Sequence, residues 1–515
     1  MRWGAPVLII AGGLFLRLTW IRTPAGLPDG DEAAFGLMAL HILEGREYPL
    51  YLWGAHYAGA VVSYIAAMGF WLFGVSGVVL KSSTLPFTAG YLAVTYGLGR
   101  YLSNEGTARV ALLLAAIPPA VPLNFSVKAL GGYPETLCFG GLVLLMTFSL
   151  PVERSPSRGL GGHLAVLGFS GGFGLYILPL ILPYVAVGSL FLFLHRRHVL
   201  RRGGWAWILA GGLLGASPLL AYNLQFPFAT LLRLGSRVLD VSRDEALRPG
   251  TDVATGAAWI AQYLRQLPAR FPVVLRSLGP LLGFTGDPGI LIAWIIMAGA
   301  TLALWRAGRE GAASASGWAS ARYCALLIPG VLLFAWLTGL NRPRHLVPLY
   351  SVLPLGLAAL YNRLRSARPW IARAALTVLL LSTARDMIEA ARIPSGVPMA
   401  PLIQAAERLG VRGVYTDYDI AYRLMFATRE AILASPTAWP QGVISDRTPE
   451  VTRQVDHLPN PAYVFLLGTP EAGWFAQGLV RRGIRFTRNP VGPFELFTDL
   501  SAPVRSAVLP VGSEW

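Results

Sequence analysis

Lysine and cysteine are almost missing from this chain, and acids are scarce. Lys81 and Lys128 are its two lysines, so nearly all of the 43 basic residues are arginine. Its two cysteines, Cys138 and Cys324, lie inside apolar runs. That excludes a disulfide framework and a cysteine metal site. His41, His56, His163, His195 and His198 fall at no metal-ligand spacing. No cofactor is read, and a divalent metal stays open without a ligand set that requires one. Charged residues make up 14% of the 515, too few for a soluble enzyme of this length.

What is abundant is apolar: 54% of residues, with a mean hydropathy of +0.52. Apolar runs near 5–21, 83–99, 107–123, 134–150, 162–178, 179–194, 204–222, 288–305, 321–339, 345–361 and 370–386 have roughly the 17–20 residues that cross a bilayer. The first run is interrupted by Arg17 and followed by no small-x-small site, so it reads as an uncleaved anchor. The net charge of +16 is not a nucleic-acid signature. Its arginines cluster in short loops between the runs: Arg100 with Arg109, Arg154 with Arg158, "HRRHVLRR", Arg306 with Arg309, and "YNRLRSAR". The excess of cations on cytoplasmic loops puts these and the N-terminus inside. The loops holding Asp31, Lys128, Glu135 and Arg342, and the C-terminal region, then lie outside. The run 58–78 fits an interfacial or re-entrant helix with Tyr64 and Trp71 as anchors. A full crossing there would reverse that parity. The segment "AWIAQYLRQLPARFPVVLRSL" has an amphipathic helical pattern, either interfacial or packed on the protein.

After residue 390 the pattern changes. "VRGVYTDY", "EAILAS" and "PAYVFLLG" read as strands, "DIAYRLMFA" and "EAGWFAQGLVRRG" as helices, and "RFTRNP…PFELFTDL" as a hairpin. The expected architecture is an α-helical polytopic membrane domain over 1–389, of about 11 spans plus interfacial helices. A small α/β extracytoplasmic domain follows over 390–515.

Three places carry candidate chemistry. In "LPDGDEAAFG" the acids Asp29, Asp31 and Glu32 stand just beyond the first run. They form either an acid/base site able to deprotonate a hydroxyl or the N-cap and first turn of a helix. In "NFSVKALGGYPETLCFGG", Lys128, Tyr133 and Glu135 form either a polar cavity wall or a helix start after Pro134. In "LNRPRHLVPLY", Arg342, Arg344 and His345 crowd the outer end of a run, binding phosphate or snorkelling to headgroups. Asp417 and Asp419 in "YTDYD" read as a turn or cap.

These features together resemble the GT-C class of membrane glycosyltransferases. The superfamily of protein O-mannosyltransferases and lipid A aminoarabinose transferases is nearest. The resemblance rests on "DEAAF" after the first span, "FWLFG", the lysine opening "LKSSTLPFTAGYLAVTYGLGR", and "RHLVPLY". Two departures stand out: Arg344-His345 replaces an Arg-Tyr pair, and "WGAHYAGA" with His56 replaces His-Pro-Pro. The resemblance implies a sugar moved from a polyprenyl-phosphate donor to a lipid, glycan or protein acceptor outside the bacterial inner (plasma) membrane. It implies Asp31 as base, with Glu32 orienting the acceptor or supporting Asp31. Arg342 and Arg344, with Lys128, would neutralise the leaving phosphate. A transporter or flippase of a lipid-linked substrate is the alternative, although no convincing internal repeat is visible.

Overall fold

Proline decides which apolar runs become single helices. In the computed structural model, residues 4–151, 159–232, 253–284, 286–311, 315–340, 342–437, 446–509, 512 and 515 are described. The arginine pair Arg154 and Arg158 lies outside them. Helix α1 spans Gly4–Ile21. The run 107–123 breaks into Glu105–Ala116 and Ala120–Phe125 around Pro118 and Pro119. The run 345–361 becomes a 3-10 segment, Pro343–Ser351, and a helix, Leu353–Ala367. The run 204–222 bends by 58° between Trp205–Gly215 and Ser217–Gln225, where Pro218 lacks an N–H to continue the ladder. Among the described residues four helices are long and apolar enough to cross a membrane, or five if the bent pair is one span. Shorter apolar helices cover Val61–Phe73, Tyr133–Phe148 and Pro179–His195.

The chain divides into two compact units. The first holds residues 1–23, 55–61 and 84–393. Its core gathers Tyr91, Leu144, Tyr184, Cys324 and Tyr350. Two buried tyrosines fix the 3-10 segment: Tyr91 donates to the Tyr350 carbonyl at 2.9 Å and Tyr184 to that of Pro348 at 2.7 Å. Glycine lets backbones touch. A Cβ on Gly168 would lie 2.0 Å from the Ile208 carbonyl, so Leu160–Ile177 and Trp205–Gly215 pack main chain to main chain. Arg17, fully buried, donates Nη1 and Nη2 to the Ala116 and Ala115 carbonyls and Nε to Ser126. A cation here satisfies the orphan carbonyls that end the Glu105–Ala116 helix. The amphipathic segment is helical over Val253–Arg276 and is tied to Ala315–Thr338, since Trp336 donates to the Leu267 carbonyl at 2.7 Å.

The second unit holds 24–54, 62–83 and 394–515. It has a five-stranded sheet in the order β2-β1-β3-β5-β4. Strands β1 (Gly413–Tyr415), β2 (Leu433–Ser435) and β3 (Ala462–Leu466) run parallel. Strands β4 (Thr487–Val491) and β5 (Phe494–Thr498) close an antiparallel hairpin. Each expected strand and helix of this region forms. Two helices, Ala400–Arg408 and Pro449–His457, are additions that the sequence reading lacked.

The same unit includes α2 (Gly30–Leu43), α3 (Val61–Phe73) and α4 (Gly77–Ser82). Helix α2 packs on the helix Tyr418–Thr428. Gly36 allows it, because a Cβ there would meet the Phe426 ring at 2.6 Å. The run 58–78 is broken at Gly74, with φ of 81°. Its α3 portion is 13 residues, or about 20 Å, short of a hydrocarbon core of about 30 Å. Tyr64, Met68, Trp71 and Leu72 are exposed along it at helical spacing.

Candidate active site

The acids at the start of α2 divide their work. Asp29 is the N-cap: its Oδ1 accepts from Glu32 N at 3.0 Å, and Glu32 Oε2 accepts from Asp29 N at 3.2 Å. This reciprocal capping box satisfies two orphan amides of the first turn. Glu32 is also enclosed. Lys81, in the last turn of α4, reaches both of its oxygens at 2.7 and 3.1 Å, and both side chains are 1% exposed. A pair so fully desolvated holds only while both partners are present. Lys81 therefore clamps α4 to the first turn of α2.

Asp31, the residue between, is different: its side chain is 32% exposed. Its Oδ1 accepts from the Tyr418 hydroxyl at 2.6 Å and from Arg447 Nη2 at 3.0 Å. Among the described residues no bond lands on Oδ2. Arg447 is held on every side. Its Nη1 donates to the Trp53 carbonyl at 2.9 Å, its Nε to the Tyr418 hydroxyl, and its backbone N to the Tyr422 hydroxyl at 2.7 Å. Burial works against its charge, but Tyr418 and Asp31 outweigh that and raise its pKa. Burial, and next the Asp31 carboxylate, push the Tyr418 pKa well up, so it remains a phenol able to donate.

A second helix start abuts this one. Asp417 caps Tyr418–Thr428, accepting from Ile420 N at 3.0 Å. Asp419 takes Gly30 N at 2.6 Å on Oδ1 and Arg423 at 3.0 Å on Oδ2. The approach needs glycine, since a Cβ on Gly30 would lie 2.8 Å from the Asp419 Cα. At the far end of α2, His41 bridges Glu47 at 2.8 Å and Glu430 at 2.9 Å, and Arg46 reaches Glu430 at 2.7 Å. Burial lowers the His41 pKa, yet the bonds to Glu430 and Glu47 prevail and hold it at about 9.

The remaining candidates belong to the first unit. Lys128 lies over the Phe125 ring at 5.9 Å, and that ring meets Tyr133 at 5.0 Å between centroids. Glu135 is buried and caps its own helix, accepting from Gly132 N at 3.0 Å. Arg342 is exposed and precedes the 3-10 segment. Arg344 Nε donates to His345 Nε2 at 3.2 Å. That segment, which holds Arg344 and His345, packs on Ala120–Phe125 and on Tyr133–Phe148, and Lys128 lies in the loop between those two helices. His56 instead bonds the Tyr222 hydroxyl, with its backbone in the left-handed region. Among the described residues no group of three or more His, Cys, Asp or Glu is arranged to hold a metal.

Tyr418 and Arg447 escape the sequence reading. The signal for Tyr418 was "DYD", a second acid-x-acid helix start matching Asp29-Gly30-Asp31. Nothing in "SDRTPE" singles out Arg447.

No family model and no curated protein matches the chain. Solved structures do. ArnT from Cupriavidus metallidurans bound to undecaprenyl phosphate is similar with a TM-score of 0.60 and 11% identity, over 98% of this chain and 99% of that one. The Archaeoglobus fulgidus oligosaccharyltransferase tethered with an acceptor peptide gives 0.55 and 11%, over 97% and 74%. AglB from Archaeoglobus fulgidus, in complex with an inhibitory peptide and a dolichol-phosphate, gives 0.51 and 11%, over 90% and 69%. Helical membrane architecture, a small five-stranded sheet and these likenesses together give the chain the GT-C fold of membrane glycosyltransferases.

Proposed function

We propose that this chain transfers a sugar from a polyprenyl-phosphate donor to an extracytoplasmic acceptor hydroxyl, with inversion. The observation that carries the reading is Asp31: a partly exposed carboxylate at a helix start, gripped through Oδ1 and, among the described residues, without a bond on Oδ2. In this reading the acceptor gives its proton to Oδ2. Its oxygen attacks the anomeric carbon from the face opposite the phosphate. The carbon–oxygen bond to phosphate breaks, and polyprenyl phosphate leaves with the electron pair. Arg342, Arg344 and Lys128 would offset its charge, with Tyr133, Glu135, His56 and His345 shaping the donor site. Glu32 supports Asp31 by fixing the first turn rather than by touching the acceptor. The undecaprenyl phosphate in the ArnT structure and the dolichol-phosphate in the AglB structure support a polyprenyl carrier as donor. The domain division 1–389 and 390–515, residence in the inner membrane, an inside N-terminus and an outside site belong to the same proposal.

The test is mass spectrometry of polyprenyl-phosphate sugars in cells lacking the protein, complemented with wild type or Asp31→Asn. One lipid-linked sugar should accumulate and be cleared by wild type alone. Clearance by both would point to the transporter reading. No accumulation would remove the polyprenyl donor from the proposal.

A further inference from the structure

We infer that Arg447 and Tyr418 are positioning residues for the base, so that the carboxy-terminal region is a working part of the active site; this rests on the role proposed for Asp31. All three guanidinium nitrogens of Arg447 have a partner: Nε the Tyr418 hydroxyl, Nη1 the Trp53 carbonyl, Nη2 Asp31. The three partners come from three separate stretches of chain, so the guanidinium plane is fixed. Its backbone is fixed as well. Asp446 accepts from Thr448 N at 2.9 Å and from the Thr452 hydroxyl at 2.7 Å, starting the helix that follows. Tyr418 is locked by its ring against Tyr422, with centroids 4.8 Å apart.

Both donors converge on the same oxygen of Asp31. A carboxylate held by two donors on Oδ1 cannot rotate about its last torsion without losing both. Oδ2 is thereby presented in one orientation. Misplacing a reacting group by about 1 Å costs on the order of 100-fold in rate. A surface ion pair serving stability alone would not need this arrangement. The pair Arg423–Asp419 shows the simpler design, an i,i+4 contact within one helix.

The experiment measures clearance of the endogenous polyprenyl-phosphate sugar pool in the null cells, per mole of membrane-inserted full-length protein. Arg447→Ala should be about 100-fold slower and Tyr418→Phe about 10-fold slower, with unchanged membrane abundance. Methylguanidine in the medium should restore part of the Arg447→Ala rate, which a merely structural loss would not allow. Asp31→Asn is the control. If it clears at the wild-type rate, the base assignment falls and this inference with it. If it is inert while both other variants are within twofold of wild type, only the positioning role is overturned. Absence of methylguanidine rescue in a normally inserted Arg447→Ala also overturns it. Should Arg447→Ala fail to insert, Tyr418→Phe decides alone, and a wild-type rate there refutes the inference.

Discussion

The starts of α2 and of the Tyr418 helix share one design and reach different ends. Each has an aspartate cap, one intervening residue and a second aspartate: Asp29-Gly30-Asp31 and Asp417-Tyr418-Asp419. The first aspartate of each is spent on its own helix. The second aspartates differ. Asp419 has partners on both oxygens, while Asp31, among the described residues, has its two on one. Both motifs start a helix; the asymmetric bonding of its second carboxylate is what sets Asp31 apart and what the role proposed for it requires.

Neutralising each second aspartate should separate the two helix starts most. Asp31→Asn should lower transfer at least 100-fold, in the range expected for removing a general base, with little change in melting temperature. Asp419→Asn should keep activity within about threefold, because an amide oxygen can still accept from Gly30 N. Equal losses would show that both serve only architecture. Next in size is the clamp beneath α2. Lys81→Met takes the buried cation from Glu32 in a dry site and should cost about 3–5 kcal/mol, read as a fall in thermal stability of detergent-solubilised protein. Adding Glu32→Gln should recover most of that.

A smaller effect tests the far end of α2. The folded pKa of His41, about 9, exceeds the ordinary histidine value of 6.5. The stability it contributes is complete below pH 6.5 and drains away as pH rises through 9, a limb of at most roughly 3 kcal/mol. His41→Gln should flatten that limb in a melting-temperature series. The smallest effect is at Asp417. Burial raises its pKa to about 6 against the ordinary 3.8, so its charge opposes folding above pH 6 and ceases to as pH falls towards 4. Asp417→Asn keeps a capping oxygen and should melt slightly above wild type at pH 7.5. That advantage should be roughly halved by pH 5 and vanish by about pH 4.

The fold was largely legible because hydropathy and alternation are local signals. The apolar runs form helix, with breaks at prolines, and the sheet elements of the carboxy-terminal region form within the stretches read as strands and hairpin. Breaks at Pro118-Pro119 and Pro218 were equally visible but were read through as continuous spans. The site was half legible. Asp29, Asp31 and Glu32 carry a signature of their own, and the capping reading of Asp29 and Glu32 coexists with the chemical reading of Asp31. Lys81 was noticed only as a cation before a span; nothing nearby says that its partner is Glu32. Arg447 lies 416 residues from Asp31 in the chain, and contacts made across such separations leave no periodic trace.

That separation has a consequence for how the protein is made. Asp31 leaves the ribosome 416 residues before Arg447. At about 5–20 residues per second, roughly 20–80 s separate the two. Throughout that interval the membrane helices can insert while Asp31 still lacks the arginine that holds it. A chain cut short by a premature stop would be inserted yet carry an unclamped Asp31. The contact between Arg447 and Asp31 can therefore form only once residue 447 has been made, and products truncated before it would compete for insertion without ever forming that contact.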